Sequence, residues 1–89
     1  MALKFTQPVV TLQKLLSKHC AKSLLKIIKD ENDNVTALLV ALCDQSTRKN
    51  ILEELPPARR VKIVKSLSTL KQPPDFVIQV IFESLQKKL

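Results

Sequence analysis

Apolar residues recur along the chain at helical spacing in five runs, separated by prolines or short polar breaks. A face that repeats at i, i+3, i+4 and i+7 predicts an amphipathic helix. The first run predicts a long helix from about Val9 to Lys29, with Pro8 in its first turn. Leu12, Leu15, Leu16, His19, Cys20, Leu24, Ile27 and Ile28 share one face of it, and Lys14, Lys18, Lys22, Lys26 and Lys29 form a ladder on another. Asp30 to Asn34 is polar and predicts a loop. Val35, Leu38, Leu39 and Leu42 mark the next face, while Ala37, Val40, Ala41 and Cys43 make that helix apolar all round, as suits the middle of a bundle. Asp33 or Asn34 is its expected cap.

Asp44 is the expected cap of a helix from Gln45 to Leu55, which carries Ile51, Leu52 and Leu55 on one face. Pro56 stops it, and Pro57 fits the first turn of the following helix, with Arg60, Ile63, Val64, Leu67 and Leu70 at helical spacing. Pro73 and Pro74 end that helix and open the last, which runs to about Lys87. Asp75 and Lys87–Lys88 suit the two poles of its macrodipole. Its apolar residues form two faces, Val77, Val80 and Ile81 on one and Ile78, Phe82, Leu85 and Leu89 on the other. A terminal helix with two such faces either is wedged between the first helix and the rest or offers one face to a partner. Met1 to Gln7 has no helical period and is expected to be a loose or extended, flexible arm, leaving residues 8–89 as one helical domain.

The order of Ala37, Leu38, Asp44, Leu52, Leu55, Pro56, Arg60, Val64, Thr69, Leu70 and Pro74 resembles the middle, armadillo-like domain of the flagellar motor switch protein FliG. The resemblance runs from about Leu24 to Leu89. The N-terminal domain of MgtE magnesium transporters is similar in build. What the resemblance implies is an all-α fold of about five helices in a right-handed armadillo-like superhelical bundle. It also implies a non-enzymatic scaffold in a cytoplasmic ring or adaptor, at a flagellar or related type III secretion apparatus on the cytoplasmic face of a membrane. Such faces stack armadillo-like domains on each other in the family, which favours a partner face on the last helix. The family's Glu-His-Pro-Gln motif, which serves contact to the switch partner FliM, falls on Glu31, Asn32, Asp33 and Asn34 and matches only at Glu31. The chain has no glycine, so the family's glycine hinge to a torque-generating domain has no counterpart.

Composition narrows the picture further. Eighty-nine residues make one small domain, which buries only about 60–65% of its unfolded surface. Absent glycine and five prolines argue against tight β-hairpins. The two cysteines, Cys20 and Cys43, predict buried, reduced thiols rather than a disulfide framework. No stretch approaches the roughly 20 apolar residues of a membrane span, and the start lacks the layout of a cleaved signal. The Met start and basic end are read as a whole chain.

Candidate chemistry is sparse, and no cofactor or metal is expected. Without glycine neither a dinucleotide fingerprint nor a phosphate-binding loop exists. His19, Cys20 and Cys43 lack a fourth zinc ligand and any usual spacing. Glu53 and Glu54 are consecutive and point about 100° apart on a helix, unfit for paired acid–base work. The formal net charge of +7 attracts acidic partners. The expected contact residues are therefore apolar Val77, Ile81, Phe82 and Leu85 and charged Arg59, Arg60, Lys62 and Lys65, facing an acidic protein or a second copy of the chain. A small basic nucleic-acid-binding protein is the alternative, weakened by the lack of Tyr and Trp for base stacking. The lysine ladder is either solvated or held for a partner.

Overall fold

The structure is a computed structural model that describes residues 3–89. The described residues form six helices and no strand: α1 (Gln7–Ser17), α2 (Ala21–Ile28), α3 (Asp33–Leu42), α4 (Gln45–Glu54), α5 (Pro57–Ser68) and α6 (Asp75–Lys88). The sixth helix arises because the predicted long helix breaks at Lys18–His19–Cys20. No proline or glycine is responsible, and Cys20 simply takes an extended backbone ahead of α2. An unbroken rod over Val9–Lys29 would be about 30 Å long at 1.5 Å per residue, against a longest molecular dimension of 33 Å. Breaking it lets its two apolar segments bury in different places. Val9, Leu12 and Leu16 sit in α1, which packs chiefly on α6, and Leu24, Ile27 and Ile28 sit in α2, which packs on α4. Tertiary packing thus overrides a continuous helical period. The break also exposes Cys20, contrary to the expectation of a buried thiol, while Cys43 is buried as expected.

Caps explain the other boundaries. Asn32, one residue before the expected cap, accepts a hydrogen bond from the Val35 N–H at 2.8 Å and shortens the predicted loop. Asp44 accepts from the Thr47 N–H at 2.7 Å, as expected. Proline stands at the first position of α5 and within the first turn of α1. Where it is described, the arm lies without helix against the start of α6. The Lys4 backbone exchanges hydrogen bonds with the Gln72 side chain, and Thr6 Oγ1 bonds Asp75 Oδ1 at 2.8 Å. Met1 and Ala2, the rest of the expected arm, lie outside the described residues.

Helices α2 to α5 repeat in register. Their N-caps, Cys20, Asn32, Asp44 and Pro56, fall every twelve residues. Seven positions after each cap stand Ile27, Leu39, Ile51 and Ile63, all buried. α2 packs on α4 and α3 on α5, so the helices alternate between two layers in an armadillo-like stack. The next position in the register grades along the stack. Ile28 and Val40 are buried, Leu52 is half-buried and Val64 is 50% exposed. The reason is geometric: α2 and α3 are each covered by the helix two further on. α6 does not continue the register but crosses back to α1.

Candidate protein-interaction surface

The cation set divides by chemistry. All three arginines turn their guanidinium groups onto protein carbonyls. Arg48 donates to the carbonyl oxygens of Val40, Ala41 and Cys43 at 3.1–3.2 Å. Arg60, twelve residues on, donates to Leu52, Glu53 and Leu55 at 2.7, 3.0 and 3.2 Å. Each stands four residues after its own cap and closes the C-terminus of the helix before it, where backbone carbonyls have no intrahelical partner. The forked, planar donor suits several carbonyls at once. Arg59 reaches across the stack, donating to the Glu31 carbonyl at 2.8 Å and the buried Thr36 hydroxyl at 3.2 Å, with Asp33 at 3.6 Å. No buried side-chain nitrogen or oxygen among the described residues lacks a partner.

Arg59 and Arg60 are therefore half-buried and engaged within the molecule, whereas Lys62 and Lys65 project from α5, exposed and without an acidic neighbour within 4.0 Å among the described residues. Of the apolar contact set, Leu85 belongs to the core at 1% exposure, which takes it off the surface. Its face of α6, with Ile78, is covered by α1, which is the only helix that α6 packs on extensively among the described residues. Val77, Ile81 and Phe82 are half-buried. Val77 and Ile81 line a groove of about 360 Å³ with Val35, Leu38 and Leu70, rimmed by Asn32, Asn34 and Lys71.

Of the four positions where the family's partner-contact motif falls, Asn32 and Asn34 line this groove, and three carry internal duties. Glu31 pairs with Lys88 Nζ at 2.8 Å, Asn32 caps α3 and Asp33 faces Arg59. The most exposed apolar side chains lie elsewhere: Val61 (68%) and Val64 on α5, Phe76 (72%) and Val80 (62%) on α6, and Phe5 in the arm. Sequence reasoning passed over Val61, Phe76 and Phe5 as contacts. The twelve-residue register was the signal for Val61 and Val64, since it identifies α5 as the last helix of the stack.

The thiols differ in the same way as their positions. Burial, helped by the Asp44 carboxylate and opposed by Arg48, pushes the Cys43 thiol up to about 11. The Ser23 backbone N–H and hydroxyl hold the Cys20 thiol below its ordinary value. The Thr47 backbone N–H, with its hydroxyl, lowers the Asp44 carboxyl. Among the described residues no three His, Cys, Asp or Glu side chains gather as a metal group, and no helix is long and apolar enough to cross a membrane.

A helical stack with its polar chemistry spent on caps, and with apolar side chains left at its end, defines a protein-interaction module. The family model of the FliG middle domain matches residues 21–89, and the chain belongs to that family. The match begins at the first residue of α2, so α1 and the arm lie outside it. No match was found among curated proteins or among solved structures.

Proposed function

We propose that this chain is a non-enzymatic scaffold of a flagellar motor switch ring, or of a related type III secretion apparatus, acting on the cytoplasmic side. The observation that carries the reading is the uncovered end of the stack. Val61 and Val64 stand on α5 where the register has run out, beside a shallow hollow of about 390 Å³ on α4 that contains Leu52 and is rimmed by Lys49 and Glu53. An apolar end rimmed by charge suits the helical face of another protein better than solvent. Lys62 and Lys65 beside it favour an acidic one. Val77 and Ile81 form a second contact region at the groove beside α3, with half-buried Phe82 next to Ile81 on α6.

The test is sedimentation of the purified chain with isolated switch-ring components. A stable complex is expected, weakened at least tenfold by Val61→Ser with Val64→Ser, a loss of about 1.4 kcal/mol or more. Absence of a complex with every ring component, or binding indifferent to this pair, overturns the reading.

A further inference from the structure

The charge is unevenly placed. Residues 1–29 hold six lysines and no Asp or Glu, whereas residues 30–89 hold nine basic and eight acidic side chains. Nearly all of the net charge of +7 therefore sits in the first third of the chain. The structure turns these lysines outward. Lys14 and Lys18 lie across α1 from its buried Val9, Leu12 and Leu16, and Lys22, Lys26 and Lys29 lie across α2 or its end from Leu24, Ile27 and Ile28. All five are exposed, and none has an acidic group within 4.0 Å among the described residues. α1 and α2 follow one another across the break at Lys18–Cys20, so the two lysine rows belong to one continuous stretch of chain.

The arm that leads into this stretch adds apolar side chains. The hydrogen bonds of Lys4 to Gln72 and of Thr6 to Asp75 hold the arm against the start of α6. Exposed Phe5 is thereby brought towards exposed Phe76, with Val80 one turn further along α6.

We propose that the lysine-rich α1–α2 stretch, with the arm before it, docks on an anionic phospholipid bilayer. It is a surface contact and not a span, since no described helix is long enough to cross. The choice of lysine supports a lipid surface. The arginines, whose fork fixes geometry, are used inside, and the outward charges are lysines on flexible stems with no acidic residue to set a register. Unregistered point charges match a surface whose own charges diffuse, and neighbouring Phe and Val side chains add shallow insertion. Each lysine near such a surface raises partitioning by roughly fivefold, from about 1 kcal/mol per charge. This inference stands apart from the scaffold reading, whose main surface is formed by α4 and α5.

The test is co-sedimentation of the full chain with phosphatidylcholine vesicles and with vesicles rich in phosphatidylglycerol. Binding is expected only to the anionic vesicles, and should be largely lost on going from about 0.1 M to about 1 M salt, as the screening length falls from about 10 Å to about 3 Å. Lys14→Gln, Lys18→Gln, Lys22→Gln and Lys26→Gln together should cut binding at least tenfold while the helical circular dichroism stays unchanged. Lys49→Gln, Lys62→Gln, Lys65→Gln and Lys71→Gln remove the same charge elsewhere and should leave most of the binding. No binding to anionic vesicles, equal binding to neutral ones, or equal loss in the two quadruple variants overturns the proposal. So does a chain that ignores vesicles but retains an acidic protein or nucleic acid through the same four lysines.

Discussion

Two cysteines of one chain meet opposite fates because one lies at a break and the other at the end of a buried helix. Cys20 precedes α2 with its sulfur 3.6 Å from the Ser23 hydroxyl and open to solvent. Cys43 closes α3 under Arg48. The thiolate is the reactive form, so a disulfide reagent at neutral pH should modify Cys20 quickly and Cys43 only after denaturant is added. Two equally fast thiols would contradict the buried placement of Cys43. The pH dependence has a definite sign. The folded Cys43 thiol holds its proton up to about 11, against an ordinary value of 9.0. Its contribution is thus fully present below pH 9 and is lost as pH rises from there through about 11, because the unfolded thiol ionises first. Cys43→Ser should flatten the stability profile in that alkaline window.

Helix boundaries were legible in the sequence wherever a residue imposes them by its own chemistry. Asp44 caps, Pro56 stops and Pro57 starts a helix whatever surrounds them. The break between α1 and α2 was not legible, since no residue there forbids a helix. Only the packing of two apolar segments on different neighbours decides it. Arg60 reads as a surface contact in the sequence for a similar reason: a cation after a proline step looks solvated until the preceding helix end is seen beneath it. Its role is testable at this scale. Arg60→Ala strips three carbonyls at the end of α4 of a charged donor and should cost about 1–3 kcal/mol. Arg60→Lys keeps the charge without the fork and should recover less than half of that. Urea denaturation measures both, and a Lys variant as stable as the parent would mean that charge alone suffices.

At the scale of the whole molecule, α1 changes what kind of object the stack is. A linear repeat array is held only by neighbours and frays from its ends. Here the helix that precedes the family match packs on the helix that ends it, with Val9, Leu12 and Leu16 in one core with Ile78 and Leu85. The arm's bonds to Gln72 and Asp75 tie the same two ends. The radius of gyration, 12.0 Å, equals the roughly 12 Å of a compact globule of this length, as a stack closed on itself requires. The ends should therefore unfold with the middle. In native-state hydrogen exchange, the slowest amides of α1 and α6 should open with free energies within about 1 kcal/mol of those in α3, since one cooperative unit shares one global opening. Leu12→Ala should lower protection in α6 as much as in α1, because it removes buried contact between them and costs about 2–5 kcal/mol. Exchange in α6 that is fast in the parent and unmoved by Leu12→Ala would describe a linear array with a loose last helix, and the clasp would have no energetic meaning.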